Sequence, residues 1–202
     1  MRSLRSTRNS IEPVKFCGAN LRGASLVGAT IVQANFEAAD LTDADLRRAQ
    51  TNLNNFRNAT LDGANMSGLN LNGCTFSGAT LRHTNLTGTA LSGQTSNIDL
   101  TGADLRHGHI GKVDLSHAKL HGAILDGAYL YEIVDIDGWS SLGSIRNANV
   151  HCVKDQPTGY MRTQSRSWVC PERVRKFYEW ALAHGAVDMP WEKWIVFRKT
   201  LR

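Results

Sequence analysis

The chain has 202 residues, 42% of them hydrophobic and 20% charged, and carries a formal net charge of +5 at pH 7. Such a length permits one domain and a modest appendage. No run approaches the roughly 20 apolar residues of a membrane-spanning helix, which excludes a transmembrane segment of that kind, and the basic, Ser-rich start lacks the apolar segment of a secretory signal. We therefore expect a cytoplasmic protein whose four cysteines are reduced.

Residues 1–13 are predicted to form a basic arm ahead of a long periodic segment, residues 14–136. From Phe16 to Leu91 an apolar residue recurs at every fifth position, as in FEAADLTDADLRRAQ at 36–50, and only Thr51 breaks the series. A period of five fits neither an α-helix nor a strand. Such long repetition is typical of a solenoid, in which each repeat buries its apolar side by stacking on its neighbours.

The other positions are also regular when they are numbered from the apolar residue, i. Position i−2 is mostly Ala, position i−1 is mostly Asn, Asp or Thr, and position i+2 is often Gly, a pattern typical of repeated turns. The period slips once, because the step from Leu91 to Leu100 is nine residues instead of ten, so we expect one residue to be missing near Ser96. We interpret this as a structural irregularity, with a partner-contacting loop as the alternative.

The order Ala, then Asn or Asp, then Leu or Phe, then two variable residues resembles the pentapeptide-repeat family over about residues 14–136. The resemblance implies an all-β fold, a right-handed quadrilateral β-helix with four pentapeptides per coil. Positions i and i−2 would then lie inside, and the other three positions would face solvent. Six coils at the usual spacing between strands would make a rod about 28 Å long.

Four pentapeptides per coil would place residues twenty apart in one column, and the sequence supports that spacing independently. All four Phe residues at position i fall in a single column, which predicts an aromatic ladder inside the β-helix. The next column has Leu at the same four levels. The predicted core ladder consists of Phe16, Phe36, Phe56, Phe76, Leu21, Leu41, Leu61 and Leu81.

Acidic residues cluster in one part of the periodic segment, which is mildly acidic while both ends of the chain are basic. The candidate partner-binding cluster consists of Glu37, Asp40, Asp43 and Asp45. Because Arg47 follows at once, a mixed solvated surface is the alternative. Members of the resembled family that confer quinolone resistance are acidic rods resembling B-form DNA, which occupy the DNA site of gyrase or topoisomerase IV. The resemblance therefore implies a topoisomerase as a candidate partner.

Residues 137–202 depart from the period and are predicted to form a small, mainly helical C-terminal module. The segment PERVRKFYEWALAHG at 171–185 has Pro at its start and Gly at its end, as helices do, and its apolar residues fall on one stripe. MPWEKWIVFRKTLR at 189–202 fits either a second helix or a strand. The predicted capping or dimerisation face consists of Val174, Phe177, Tyr178, Ala181, Leu182, Trp194 and Phe197.

Two roles are open for this module. Its aromatic residues would cover the end of the rod or pair two chains into a homodimer, because a solvated arm would not expose so many of them. Its Trp and basic residues would alternatively contact nucleic acid or an anionic membrane surface. We favour capping and dimerisation, and we do not expect nucleic-acid binding.

Residues that would support catalysis are sparse. The sequence has no phosphate-binding Gly motif, and its His residues show no spacing typical of a metal or nucleophile site. His151, Cys152 and Cys170 offer three zinc ligands, but the long gap and the lack of CxxC argue against zinc. We therefore expect no enzyme and no cofactor. The sequence predicts a non-enzymatic protein–protein interaction protein that binds through a rigid rod, with a DNA-mimicking protein that protects gyrase from inhibitors as the alternative.

Overall fold

The computed structural model describes residues 14–133, 135–136, 139–146, 148–150, 172–187, 193 and 196–197. Its main body is a β-helix in which parallel β-bridges join residues twenty apart, such as Asn20 to Asp40 and Asp40 to Thr60. The spacing of twenty expected from the sequence is therefore the length of one coil. Each coil has four sides, which we call faces 1 to 4. In the first coil they are residues 14–18, 19–23, 24–28 and 29–33.

Backbone hydrogen bonds join each coil to the next. The N–H at position i donates to a carbonyl nineteen residues later, as from Phe16 to Asn35 at 2.7 Å. The N–H at position i−1 donates back to the previous coil, as from Asn35 to Val14 at 2.9 Å. Because this pair of bonds recurs face after face, stacking satisfies the backbone groups that a single coil would leave unpaired.

Each face ends in a tight turn that explains the residue preferences. Position i+2 has a positive φ angle whether it is Gly23 at 62° or Asp43 at 59°, a conformation that Gly adopts freely and that Asn and Asp tolerate better than most residues. An Asn or Asp at i−1 accepts a hydrogen bond from the N–H of i+1, as Asp40 does from Thr42 at 3.0 Å. The recurring Asn, Asp and Gly residues are therefore the chemistry of the turns.

Regular strands form mainly where face 4 passes into face 1. They are β1 (Asn70–Thr75), β2 (Ala90–Gln94), β3 (His109–Leu115), β4 (Tyr129–Tyr131), β5 (Asp135–Ile136) and β6 (Asn149–Val150). One parallel sheet has the order β1-β2-β3-β4-β6, and β5 pairs with β3. The described helices are a 3-10 helix (Trp139–Ser141) and α1 (Glu172–Ala183).

The missing residue lies earlier than the sequence suggested. Strand β2 pairs Leu91 with Leu71 and Gly93 with Cys74, and the register shifts between these two pairs, so face 4 is shortened between Leu91 and Gly93, a few residues before Ser96. The φ angle of Gly93 is 124°, and a Cβ added there would collide with the carbonyl oxygen of Cys74. Glycine is therefore required at the point where the coil is shortened.

The coil above the shortening keeps the register of the columns. Thr95 lies one level above Phe76 in the first column, because the Phe76 N–H donates to the carbonyl of Gln94, the residue before Thr95, at 2.6 Å. Two coils above the shortening, the step from Leu130 to the next apolar position, Ile136, is six residues instead of five. There Ile136 pairs with Leu115. The two irregularities leave the four columns aligned, since Tyr129 again pairs with Asn149 twenty residues later.

The C-terminal end of the β-helix is covered by the chain itself. Helix α1 buries Phe177 and Ala181 completely and contacts β5 and the 3-10 helix, where Trp139 meets Phe177 edge to face at 6.5 Å. Beyond the helix, the Val150 N–H donates to the carbonyl of Val187 at 2.9 Å, so one more residue joins the stacked coils.

The regular coil extends into the segment that the sequence analysis assigned to the C-terminal module. Bridges from Ile124 to Ser144 and from Tyr129 to Asn149 carry the coil past residue 136, and the described part of the module has one α-helix of 12 residues. Lys193, Val196 and Phe197 have helical geometry. No helix in the described ranges is long and apolar enough to span a bilayer.

Candidate interaction surface

The predicted core ladder lies inside the rod. The rings of Phe16, Phe36, Phe56 and Phe76 stack at centroid distances of 4.9, 5.1 and 5.0 Å, with planes within 12° of parallel. In the next column Leu41, Leu61 and Leu81 are buried, and Leu21 in the first coil is partly exposed. These side chains build the core, so a partner must be met by the outward positions i−1, i+1 and i+2.

The predicted acidic cluster wraps around the rod and forms no stripe along it. Glu37 lies on face 1, Asp40 and Asp43 on face 2, and Asp45 on face 3, all within the second coil. Neighbours in sequence are therefore separated by the corners of the coil. A stripe along the axis would need carboxylates twenty residues apart.

Two of these carboxylates form ion pairs with basic side chains. Arg47 lies 2.7 Å from Asp45, and Arg22 in the first coil lies 3.3 Å from Asp40. The hydrogen bond from the Arg47 side chain lowers the pKa of Asp45, and the one from the Thr42 hydroxyl lowers the pKa of Asp40. Both carboxylates stay ionised at neutral pH, but their charge is largely balanced locally.

Charges of both signs are mixed along face 2. In coil order they include Arg22, Asp40, Asp62, Arg82, Asp99 and Lys119. Asp99 is buried and lies 2.9 Å from Arg82 and 3.6 Å from Lys119. Burial by itself raises the pKa of Asp99, but hydrogen bonds from Thr101 and Arg82 outweigh it, so the pKa lies below its ordinary value. Face 2 therefore carries internal ion pairs.

Face 4 has a different surface, which the sequence analysis did not single out. Its first four levels, residues 29–33, 49–53, 69–73 and 89–92, contain no charged residue. Their outward side chains are mostly amides and hydroxyls, together with the apolar Val32, Ala90 and Leu53, of which Leu53 is 53% exposed. The signal was present in the sequence, but it is visible only when outward positions are read every twenty residues.

Aromatic side chains stand at the upper end of face 4. The rings of Tyr129 and Tyr131 stack at 5.5 Å, and His109 lies 6.1 Å from Tyr129. The Tyr131 ring covers Gly111, where any Cβ would overlap it. Burial raises the pKa of the Tyr131 hydroxyl, so the ring is neutral at physiological pH. The only charged residues among the upper levels at 109–112 and 129–132 are Lys112 and Glu132, at the corner.

The predicted C-terminal face is divided between two environments. Phe177 and Ala181 are buried against the rod, Tyr178 is half-buried, and Leu182 is 37% exposed. Phe197 is half-buried, and its neighbour Val196 is 65% exposed. Trp194 and the side chain of Val174 lie outside the described residues.

The described residues hold no cluster of three or more His, Cys, Asp or Glu that could bind a metal. The weak zinc candidates His151, Cys152 and Cys170 lie outside the described residues. Burial raises the pKa of the Cys74 thiol to about 11, and its Sγ donates to the Thr51 carbonyl at 3.0 Å. This thiol is therefore a packed core group.

The fold and its outward surface define a solenoid repeat protein with four-sided coils. The chain belongs to the pentapeptide-repeat family, whose sequence model matches eight copies over residues 14–50, 55–93 and 98–133. No curated protein sequence matches the chain.

Solved structures of other pentapeptide-repeat proteins resemble the fold. HetL, involved in heterocyst differentiation regulation in the cyanobacterium Nostoc sp. strain PCC 7120, shares 22% identity at a TM-score of 0.47, covering 67% of this chain and 75% of its own. Full-length QnrB1, a plasmid-mediated fluoroquinolone resistance protein, shares 15% identity at a TM-score of 0.45, covering 67% of this chain and 81% of its own.

Proposed function

We propose that this chain is a non-enzymatic protein–protein interaction protein whose rod binds a partner through face 4. The observation that carries the proposal is the uncharged surface of the first four levels of that face, which continues into Tyr129 and Tyr131. The cores of protein–protein interfaces are depleted of charge and enriched in Tyr. In the coils that the structure describes, no other face combines these two properties over so many levels.

The backbone geometry supports the same function. Strands β1 to β4 run across face 4 as one parallel sheet, so its outward side chains stand in regular rows about 4.8 Å apart. A surface fixed by stacked hydrogen bonds needs little ordering when a partner binds, and less of the interaction free energy is lost. The rod acts as a preformed platform.

The alternative of a DNA mimic that binds gyrase receives less support. A mimic of the DNA backbone needs negative charge that continues along the rod, whereas the acidic cluster circles one coil and face 2 mixes both signs. Arg22, Arg47 and Arg82 also lie against the carboxylates that would have to stand in for phosphates. Topoisomerase protection and antibiotic resistance therefore remain the second proposal.

A matched pair of Ser residues tests face 4 directly. Ser92 on face 4 and Ser77 on face 1 both occupy position i+1 in the same coil. The Ser77 hydroxyl bonds to that of Ser96, and the Ser92 hydroxyl donates to Asn72 and accepts from the Gly73 N–H. We expect Ser92→Arg to abolish the capture of partners from extracts of the source cells and Ser77→Arg to leave it unchanged. Equal losses in both variants, or loss only in Ser77→Arg, would contradict the assignment to face 4.

The second proposal has its own test in a supercoiling assay. Purified gyrase would be titrated with the protein with and without a fluoroquinolone. We expect supercoiling and drug sensitivity to stay unchanged up to a large excess of protein. Protection or inhibition at stoichiometric concentration would favour the DNA mimic instead.

Pairing through the C-terminal module and a cytoplasmic location also stay predictions. The exposed Leu182 and Val196 supply apolar surface for such a contact.

A further inference from the structure

The two ends of the β-helix are finished differently. At the C-terminal end α1 and Val187 cover the last coil. At the other end Phe16, Leu21 and Leu26 of the first coil are only partly buried. The corresponding side chains one coil higher, Phe36, Leu41 and Leu46, are completely buried. Among the residues that the structure describes, nothing covers the apolar interior of the rod at its N-terminal end.

The backbone at this end shows the same opening. In the second coil Asp40, Asp45 and Gln50 donate their N–H groups to the first coil at 2.9 to 3.0 Å. The corresponding N–H groups of the first coil, those of Asn20, Ser25 and Thr30, donate to no carbonyl among the described residues. They point away from the rod on three of its faces, as the groups of an edge strand do.

The preceding sequence does not continue the repeat beneath face 3. Ile11 stands twenty residues before Ile31 and fits the column of face 4. Ser6, however, stands twenty residues before Leu26 on face 3, where an apolar residue belongs. Asn9 and Leu4 occupy the positions where Ala belongs. This segment therefore lacks the side chains that would build a further side of the coil beneath face 3. A cover of another kind is needed beneath Leu26.

We propose that a second copy of this chain covers the open end, so that two rods meet end to end through their first coils. A two-fold axis across the rod would bring antiparallel strands together on the sides of the square. Such strands can exchange the N–H and C=O groups that the first coil leaves open. With the axis through faces 1 and 3, Phe16 would stack on Phe16 of the second copy and continue the aromatic ladder.

The size of the contact fits a specific dimer. The first coil comprises residues 14–33, which matches the lower end of the about 20 to 30 residues per side in standard interfaces. The contact joins an apolar centre to a mainly polar rim, since the outward residues of the first coil include Asn20, Ser25 and Thr30 together with the basic Lys15 and Arg22. This arrangement is the usual anatomy of a stable interface.

An engineered charge at either end separates this dimer from one made by the C-terminal module. The masses of the wild type, Phe16→Asp and Leu182→Asp would be measured by light scattering over a range of concentrations. The end-to-end dimer requires the wild type and Leu182→Asp to be dimers and Phe16→Asp to be a monomer, whereas pairing through the C-terminal module requires the reverse for the two variants. A monomeric wild type, or a dimer lost only in Leu182→Asp, would overturn the proposal. Thermal melts followed by circular dichroism would show that each variant is folded.

A native cysteine gives a second test that does not depend on an altered core. Cys17 is exposed and directly follows Phe16. Across the proposed axis the two Cys17 residues are displaced by two residue rises along the strands and by one strand spacing between them, which places them about 8 Å apart. We expect a short bismaleimide to cross-link the wild type into dimers and to fail with Cys17→Ser. A variant with Cys152→Ser and Cys170→Ser is expected to cross-link as the wild type does. Cross-linking that survives Cys17→Ser but not the double change would contradict the end-to-end dimer.

Discussion

The lower and upper coils of the rod have the same backbone geometry but differ in the side chains that fill their interior. Below the shortening at Gly93, the first column holds stacked Phe rings about 5 Å apart. Above it, Thr95 and Leu115 take the same column, and an apolar cavity lies beside Leu115. The cavity is lined by Leu91, Leu100, Leu105, Ile110, Leu115, Leu120, Leu125, Leu130, Ile133 and Ile136.

This difference shows that the coil geometry does not depend on one particular filling. Backbone hydrogen bonds at 2.7 to 2.8 Å join the coils equally at Leu21 and at Leu100, so the turns and bridges set the spacing. The side chains decide how much stability each coil gains from packing. We therefore expect the lower coils to be more sensitive to loss of volume than the upper ones.

The largest effect is expected from removing a ring within the ladder. Phe56 is completely buried with a ring stacked on either side, so Phe56→Ala should lower the free energy of unfolding by about 3 to 5 kcal/mol. Leu115→Ala, beside the existing cavity, should cost only about 2 kcal/mol, at the low end for such changes. Urea denaturation of both variants measures the contrast. Equal losses would mean that the two halves are packed equally well.

The boundary between the halves is expected to be nearly as sensitive. Gly93→Ala forces a φ of 124° on a residue with a Cβ and drives that atom into the carbonyl of Cys74, so we expect a loss of about 2 to 3 kcal/mol. Gly88→Ala is the control, because nothing lies within 4 Å of its Cβ position and only its positive φ costs about 1 kcal/mol. Similar unfolding midpoints for the two variants would argue against a strained shortening.

A polar contact also joins the halves, and it is expected to depend on pH. Hydrogen bonds lower the pKa of Asp99 on folding, so its stabilisation is complete above about pH 3.9, the ordinary value for Asp, and is lost as the pH falls below it. We expect Asp99→Asn to lose about 1.5 kcal/mol at pH 7 and to show a shallower acid-induced decline in stability than the wild type.

The control for that prediction keeps the carboxylate. Thr101→Val removes only the hydroxyl that donates to Asp99 at 2.6 Å, so its acid-induced decline should lie between those of Asp99→Asn and the wild type. Chemical denaturation between pH 3 and 7 provides the curves. If Asp99→Asn and the wild type lost stability in parallel, the contact would not be the source of the pH dependence.

The smallest effect is expected from filling the cavity. Leu115→Phe would restore an aromatic side chain to the first column and should raise the free energy of unfolding by about 1 kcal/mol. Leu61→Phe is the matched control, since Leu61 is completely buried in a filled coil and overpacking there should cost about 1 to 3 kcal/mol. A destabilised Leu115→Phe would show that the upper coils cannot relax around the ring.

The sequence contained most of the fold because every coil repeats the same local rules. Gly at i+2 favours the turn, Phe or Leu at i builds the interior, and the period of twenty follows from their alignment. The exact site of the shortening did not follow, because Ser92, Gly93 and Ser96 are all plausible turn residues. Only the pairing of Gly93 with Cys74 distinguishes them.

The candidate surface was harder to predict for a related reason. Glu37, Asp40 and Asp45 are close in sequence, but corners of the coil place them on three different faces. Residues that share a face, such as Asn52, Asn72 and Ser92, are twenty residues apart in sequence and contain no motif that stands out locally. In a solenoid, functional clusters must be sought along columns and not along the chain.

The constant reach of the backbone hydrogen bonds has a consequence for folding kinetics. Every coil closes a loop of about the same length, since Phe16 bonds to Asn35 and Leu100 bonds to Lys119 nineteen residues away. The entropy lost in closing each coil is therefore nearly equal, however many coils the rod contains. Once a few coils have nucleated, further coils can add one after another at a similar rate. We expect nucleation to begin within the Phe-filled coils, where closing a loop brings the largest packing gain.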